Sequence, residues 1–474
     1  MIAALIVLIS SISGVFAITQ PIATQKGKRI SIYDPISAKL VEYLPVVKYF
    51  DGRNMEPEFC DQVIYRTYKG GFYKRIFEGP INASWYGLNG IDDDPIKVYN
   101  SLLKAWNYAL SSKTDLYIPS GVYNTGNRNF PFRVSEVSSV KGLLDCQNIT
   151  IYGDGEKTIL KTISDNGADV LQLNKLKNLK IRNLSITAEV KSLNRSGTNG
   201  ISITNGFDNI MIDQITVKNL RGVSRNGNLD GGKALTVQIS TGSDFYCGKI
   251  VATGIKSINC LYGFTCDGCI SDVIKKNIDI SVDISVENSY LGLSVTNSAP
   301  YENGDINNME NHPKIKLVAN TLNCQKDLMI SRGIGVKVVL NINTTKNRSG
   351  LIKSFDGTPW YNKDLRVWGA YFNYIKDGEI TIKGNKNDCD YKVAIGAIGA
   401  VKDSFNLMNR TENCSFNIDI TGKSRISDFQ VIEYQGESIH NSVLDFSKRT
   451  FSDNDLQRPV QKVKAGKLNK LNFY

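Results

Sequence analysis

A repeat of about thirty residues between positions 142 and 325 constrains the fold of this chain more than any other feature. Asparagine opens three similar segments, Asn148-Ile-Thr-Ile, Asn178-Leu-Lys-Ile and Asn209-Ile-Met-Ile, which begin 30 and 31 residues apart. A second set of similar segments keeps the same step and begins at Asp169, Asn199, Lys233 and Leu291. A regular step of this length indicates that one structural unit is stacked many times.

Within each unit, apolar and polar residues alternate over four to eight positions, and Gly, Asn and Asp interrupt the alternation. This pattern is typical of short strands joined by turns, and no helical pattern separates them. A chain that coils can place each strand directly above its equivalent in the previous turn. We therefore predict an all-β fold, a right-handed parallel β-helix. Its stacked core residues would include Leu171, Ile201, Leu235 and Leu293.

The repeated asparagines have a structural explanation. Asn148, Asn178 and Asn209 occupy the same place in successive units. Stacked amides satisfy one another's donors and acceptors, so we expect these three side chains to form a ladder at one turn of the coil.

The remaining segments divide the chain into four parts. Residues 1–17 carry no charge and end in small residues, the pattern of a signal peptide. Residues 18–80 alternate like hairpins and predict a small N-terminal β module. The β-helix is assigned to residues 81–430, and residues 431–474 to a C-terminal cap or tail.

A capped helix is predicted at the start of the β-helix. Pro95 suits the first helical position, and Asp94, the last of three adjacent aspartates, suits the N-cap. The apolar residues that follow lie on one face of a helix over residues 95–110. The aspartate triplet is therefore expected to mark the start of a structural element, and no metal site is predicted there.

The segment 81–124 resembles the opening of pectate-lyase superfamily and phage tailspike proteins. It runs from Trp85-Tyr-Gly through Asp92-Asp93-Asp94 and the helix to Tyr117-Ile-Pro-Ser-Gly-Val-Tyr. The resemblance implies that the helix closes one end of the β-helix. It also implies that a polysaccharide lies along the outside of the coils, and that the protein assembles as a homotrimer.

The charge and the cysteine content of the chain indicate which ligands and metals it can bind. The net charge is +11, which favours acidic ligands, and no nucleic-acid-binding motif is present. Nine cysteines include one C-x-x-C, at Cys266 and Cys269, without a second pair, and the chain has only two histidines. Buried thiols or one or two disulfides are favoured over zinc. We predict no metal and no cofactor.

Three long insertions, at 188–198, 221–233 and 298–313, carry the candidate site residues. The first two leave the repeat at equivalent places, so their side chains are expected to be neighbours. The catalytic candidates are Glu189, Asp230 and Lys233. The substrate-binding candidates are Arg195, Arg221, Arg225 and Tyr301.

These residues are compatible with two reactions. In glycoside hydrolysis, Glu189 and Asp230 would be the pair of carboxyl groups that such chemistry requires. In a lyase acting on a uronate, Lys233 would be the base, activated by neighbouring cations, and the arginines would hold the sugar carboxylate. The chain contains neither the Gly-His-Gly of polygalacturonase-like hydrolases nor the Arg-x-Pro-x-x-Arg of classical pectate lyases.

Together these observations predict a protein that is secreted or lies on a cell or virion surface, and that binds and cleaves an extracellular polysaccharide, favouring an acidic one. The alternative is a non-catalytic glycan-binding adhesin or structural spike with the same fold. A glycan epimerase is a third reading, because parallel β-helices host all of these functions.

Overall fold

The structure is a computed structural model. The predicted signal segment 1–17, Arg195, Tyr301 and most of 431–474 lie outside the residues that it describes. The described residues are 22–23, 29–35, 37–88, 90–92, 94–126, 142–163, 169–189, 198–225, 228–239, 246–268, 278–296, 313–345, 367–396, 411–432, 439–440, 443–446 and 470–473.

The chain forms two compact units, one made of residues 1–89 and 100–117 and the other of residues 90–99 and 118–474. The strands of the first unit are β1 (Ile22–Ala23), β2 (Ile30–Asp34), β3 (Lys39–Pro45), β4 (Tyr65–Tyr68), β5 (Gly71–Arg75), β6 (Ile81–Asn82) and β8 (Leu116–Tyr117), with 3-10 helices at Pro57–Phe59 and Ala83–Tyr86. The first five form an antiparallel sheet in the order β1-β2-β3-β5-β4. Alternating residues of β2 and β3 bury one side of this sheet, with Ile30, Ile32, Val41 and Tyr43 at its centre.

The predicted helix is present as α1 (Pro95–Ser112) and extends two residues beyond the predicted end. Asp94 caps it, because its carboxylate accepts hydrogen bonds from the backbone N–H groups of Ile96 (2.9 Å) and Lys97 (3.3 Å). The most deeply buried positions follow the helical period from Val98 to Leu102 and onward to Ala105 and Ala109. Among the described residues, no helix is both long and apolar enough to cross a membrane.

The second unit is the right-handed parallel β-helix that the repeat predicts. Strands pair in parallel with the equivalent strand of the next coil, as β12 does with β13. Its strands are β7 (Ile91–Asp92), β9 (Gly121–Asn124), β10 (Leu144–Tyr152), β11 (Thr158–Ile163), β12 (Leu171–Glu189), β13 (Ile201–Lys218), β14 (Val223–Arg225), β15 (Asn228–Asp230), β16 (Lys233–Ile239), β17 (Lys249–Ile258), β18 (Tyr262–Gly268), β19 (Asp279–Glu287), β20 (Leu291–Thr296), β21 (Lys314–Leu322), β22 (Lys326–Ile334), β23 (Lys337–Thr344), β24 (Trp368–Lys376), β25 (Glu379–Lys386), β26 (Cys389–Gly396), β27 (Thr411–Glu412), β28 (Ser415–Thr421), β29 (Ser424–Ile432), β30 (Ile439–His440), β31 (Val443–Phe446) and β32 (Lys470–Phe473), with a 3-10 helix at Gly155–Lys157.

Residues with positive φ bend each coil at its corners. In β12 they are Lys175 (φ 56°), Asn178 (φ 57°) and Asn183 (φ 54°). Asparagine tolerates this left-handed conformation better than other residues with a side chain, which explains why asparagine recurs with the repeat. These residues divide β12 into four short straight stretches, 171–174, 176–177, 179–182 and 184–189.

The core is the stacked apolar column that the sequence predicts. Leu171 pairs with Ile201, and Ile201 pairs with Leu235. Phe264 continues the column from Leu235, and Leu293 follows it. All five side chains are buried, and burying a large apolar side chain contributes about 1.5–3 kcal/mol.

The asparagine ladder is confirmed for two of the three predicted residues. The Asn209 side-chain amide donates to Asn178 Oδ1 (2.9 Å), and the Asn178 amide donates to Asp145 Oδ1 (2.9 Å). The Asn178 amide therefore bonds to Asp145, whereas Asn148 directly precedes Ile149, the register partner of Leu179. The register of β10 shifts between Asp145 and Ile149, which brings Asp145 rather than Asn148 to the Asn178 amide.

Candidate functional site

One face of the β-helix carries an outward strip of small polar side chains. We call it face one; it consists of residues 171–174 of β12, residues 201–204 of β13, and β16, β18, β20, β22, β24 and β26. On its outward side Gln172, Ser202, Thr236, Thr265 and Ser294 follow one another in register. The four hydroxyl residues are at most 6% exposed, and Thr265 donates to Thr236 Oγ1 at 2.7 Å.

Several oxygens of face one are buried without a hydrogen-bond partner in the described part of the chain. They are Gln172 Oε1, Asn174 Oδ1, Thr204 Oγ1 and Asn373 Oδ1. Buried polar atoms in native proteins are nearly always paired, so each of these acceptors requires a donor from outside the described residues. A hydroxyl-rich ligand is one source of such donors.

A row of polar and aromatic side chains leads into the face-one strands. We call it the corner row; its members are Asp169, Asn199, Lys233, Tyr262, Tyr290, Lys326 and Trp368. Hydrogen bonds connect the first three coil to coil. The Asn199 N–H donates to Asp169 Oδ1 (3.2 Å), and the Lys233 N–H donates to Asn199 Oδ1 (3.1 Å).

Charged groups converge at the middle of the corner row. Lys233 Nζ lies 3.1 Å from Asp267 Oδ2, and both side chains are partly exposed. The Tyr262 phenol has its pKa raised above the usual range, chiefly by burial and then by Tyr290 and by the negative charges of Asp267 and Asp230. Asp230 and Asp267 therefore both act on the same phenol, although they come from different coils.

Asp169 has the environment of a carboxyl group that binds its proton tightly. Burial raises its pKa above the usual value, against the lowering effects of hydrogen bonds from Ser202 and Asn199 and of the Lys233 charge. A carboxyl group with a raised pKa suits the role of a proton donor.

Aromatic rings occupy the distal part of the corner row. The Tyr262 and Tyr290 rings meet edge to face, with centroids 6.2 Å apart. Lys326 Nζ lies 4.9 Å from the Tyr290 ring centroid and 4.8 Å from that of Trp368. The Trp368 ring stacks on Tyr371, with centroids 5.1 Å apart. Aromatic faces beside hydroxyl groups are the usual components of a site for amphipathic ligands.

The structure brings two of the three predicted catalytic residues into this site. Asp230 ends the β14–β15 hairpin, and Lys233 begins β16 three residues later. Glu189 ends β12, where its carboxylate pairs with Lys161 Nζ of the preceding coil at 2.7 Å. Among the residues that the structure describes, the charged groups shown to interact with Lys233 are the carboxylates of Asp267 and Asp169, whereas the lyase hypothesis requires cations there; Arg195 and the Arg225 side chain lie outside the description.

The structure describes only some of the predicted substrate-binding residues. Arg221 is exposed and lies in the connection that contains the β14–β15 hairpin. Arg225 pairs with Asn228 through its backbone in that hairpin, and its side chain lies outside the description. Arg195 and Tyr301 lie outside the described residues.

The insertions leave the coil as their register predicts. Because Thr187 pairs with Lys218, and Ile201 with Leu235, insertions 188–198 and 221–233 join equivalent strands in adjacent coils. Insertion 298–313 instead connects β20 to β21, at the other end of the face-one strands.

Sequence reasoning missed several members of the site, namely Asp169, Tyr262, Asp267, Lys326 and Trp368. A signal for Asp169 was present, because Asp169, Asn199 and Lys233 open the second set of repeated segments. No group of His, Cys, Asp and Glu side chains suited to a metal ion is present among the described residues.

Comparison with known proteins gives structural likeness only. No family model matches the chain, and no curated protein matches its sequence. It is similar to tailspike protein 2 of bacteriophage CBA120 (13% identity, TM-score 0.36), covering 90% of this chain and 54% of that one. It is also similar to tailspike gp49 of the Acinetobacter baumannii bacteriophage Fri1, a capsular polysaccharide depolymerase (11% identity, TM-score 0.37), covering 89% and 68%.

A third similar structure is the catalytic domain of a GH87 alpha-1,3-glucanase in complex with nigerose (12% identity, TM-score 0.25), covering 88% of each chain. Phage tailspikes, which the segment 81–124 resembles, are thus among the solved structures similar to this chain. The assignment of the fold rests on the strand pairing of the chain itself.

Proposed function

We propose that this chain binds and cleaves a polysaccharide along face one, with an acidic polysaccharide favoured by its net charge of +11. The observation that carries the proposal is the position of Asp230, Asp267 and Lys233 around Tyr262, beside a buried strip of hydroxyl and amide groups. Carbohydrate sites commonly combine such polar groups with aromatic faces.

Glycoside hydrolysis is the reaction that the charges support best. Asp169 would protonate the glycosidic oxygen, since burial raises its pKa. Asp230 or Asp267 would take a proton from water or attack the anomeric carbon. The pair Glu189 and Asp230, predicted from sequence, stays the alternative hydrolase pair. Lys233 would orient Asp267, to which it is bound, and Arg195, Arg221, Arg225 and Tyr301 would contact flanking sugar units.

The experiment is incubation of the full chain with a panel of acidic and neutral polysaccharides. New reducing ends without an unsaturated uronate product indicate a hydrolase. Reducing ends together with the ultraviolet absorbance of an unsaturated uronate indicate a lyase with Lys233 as base. We expect Asp267→Asn and Asp230→Asn each to lower the rate at least about a hundredfold. Glu189→Gln tests the alternative pair, and Glu156→Gln, at an exposed carboxylate paired with Lys218, is the matched control.

Binding without any product would identify the second candidate, a non-catalytic adhesin or spike protein, which the unpaired acceptors of face one also favour. Location outside the cell or on a virion surface, and assembly as a homotrimer, belong to the same proposal. Light scattering of the purified chain tests the trimer.

A further inference from the structure

Lys326 is held in place by the coils on both sides of it. Its backbone N–H donates to the Tyr290 carbonyl at 2.9 Å, which places the two residues in adjacent coils of the corner row. Its ammonium donates to the Tyr290 hydroxyl at 3.0 Å and lies between the Tyr290 and Trp368 rings. The position of the charge is therefore fixed by three contacts.

The charge of Lys326 is compensated differently from the charges of two other partly buried lysines of the β-helix, Lys161 and Lys233. Lys161 pairs with Glu189, and Lys233 pairs with Asp267. Within the part of the chain that the structure describes, the ammonium of Lys326 contacts a phenol and two rings but no carboxylate. Aromatic rings and a hydroxyl compensate a cation less than an anion does, so this site favours the approach of an external anion.

Further groups near Lys326 are available to a ligand. Trp368 Nε1 is buried and has no hydrogen-bond partner among the described residues. The Tyr371 ring supports the Trp368 ring from behind, with 26° between their planes. A cation, an unused N–H donor and a supported aromatic face are the groups that a charged sugar ring requires.

We propose that Tyr290, Lys326 and Trp368 form a subsite for a negatively charged sugar unit of the polysaccharide. The carboxylate of a uronate unit would pair with Lys326 Nζ, and its ring would lie against the aromatic side chains. Asp267 lies in β18 and Lys326 in β22, two coils further along. Since neighbouring strands are about 4.8 Å apart, the subsite lies about 10 Å along the axis from Asp267.

This inference rests on the proposed function, and it assigns the preference for acidic polymers to one side chain. The test is equilibrium binding of two polymers to the full chain by calorimetry: a uronate-containing polysaccharide, and the same polymer after its carboxyl groups have been reduced to alcohols. Lys326→Met removes the charge and keeps most of the side-chain length. Lys326→Arg keeps the charge, and Lys337→Met, at an exposed lysine paired with Glu379, is the control.

We expect Lys326→Met to weaken binding of the acidic polymer about tenfold and to leave binding of the reduced polymer unchanged. Lys326→Arg and Lys337→Met should both retain the preference for the acidic polymer. Equal binding of the acidic polymer by wild type and Lys326→Met would overturn the subsite while leaving the proposed function intact. If the wild type binds no polysaccharide in the panel, the proposed function fails as well.

Discussion

A buried ion pair inside the β-helix leads to a quantitative prediction. Asp327 of β22 and Lys386 of β25 are 0% and 1% exposed, and Lys386 Nζ lies 2.7 Å from Asp327 Oδ2. The same ammonium donates to the carbonyl oxygens of Cys324 (2.6 Å) and Gln325 (3.1 Å). Lys386 therefore compensates one carboxylate and satisfies two carbonyl groups at a single corner of the coil.

Replacing Lys386 by Met removes all of these interactions at once. An uncompensated buried charge costs about 3–5 kcal/mol, and each of the two carbonyl groups loses a bond worth about 1 kcal/mol. We expect the free energy of unfolding to fall by about 5 kcal/mol. In the double variant Lys386→Met with Asp327→Asn no charge is left unpaired, so the loss should be only about 2 kcal/mol.

The loss of stability in Lys386→Met should also depend on pH. Burial raises the pKa of Asp327, so the folded state binds this proton more tightly than the unfolded state does. Its contribution to stability is present below the unfolded pKa, about 3.9, and is lost as the pH rises through the folded value. Without Lys386 the pKa of Asp327 rises further, so the deficit of the single variant should be smaller at about pH 5 than at about pH 7.5.

Urea-induced unfolding followed by tryptophan fluorescence at both pH values measures these differences. Lys383→Met is the control, because Lys383 is an exposed residue of the same strand and should change stability by less than about 0.5 kcal/mol. A Lys386→Met variant as stable as the control, or a double variant less stable than the single one, would refute the reasoning.

Two further predictions concern the corners and the thiols. Asn209→Ala should lower the free energy of unfolding by about 2 kcal/mol, because the hydrogen bond to Asn178 is lost and because alanine adopts the φ of 49° poorly. Asn209→Gly should lower it less, since glycine adopts a positive φ easily. Thermal unfolding of the two variants measures the difference. Burial raises the pKa of Cys260 to about 11 and that of Cys324 to about 12. Of the eight described cysteines, only Cys60 is not buried, and it should react with a thiol reagent at about pH 8 in the folded protein. Counting labelled thiols before and after denaturation measures this.

Cleavage and recognition of the acidic sugar depend on different residues, so each can be lost without the other. Loss of activity on changing Asp267 bears on cleavage, whereas loss of preference on changing Lys326 bears on recognition. Asp230 and Asp267 act on the Tyr262 phenol, and the Tyr262 ring touches the Tyr290 ring edge to face. An exchange of these two tyrosines for phenylalanine would therefore affect both measurements.

The sequence by itself determined the β-helix, its stacked core and its capped helix. Core positions recur at the repeat step, so the column from Leu171 to Leu293 follows from counting residues. Asp94 defines the helix start through local hydrogen bonds, and Pro95 favours it through its fixed φ. These features depend on contacts within one coil or between equivalent positions of neighbouring coils, and a repeat reports both directly.

The tertiary structure decided which polar side chains meet. A step of thirty residues from Lys326 leads to position 356, whereas the tryptophan that contacts Lys326 is at position 368, because residues are inserted between β23 and β24. Likewise Lys233 binds Asp267 of the next coil, while Glu189, the predicted catalytic partner of Asp230, pairs with Lys161. An inserted segment changes the number of residues between stacked positions but does not change which strands stack. A long charged side chain can reach several neighbours, and its rotamer decides which of them it contacts. Those choices depend on the packed coil, which the order of the residues does not contain.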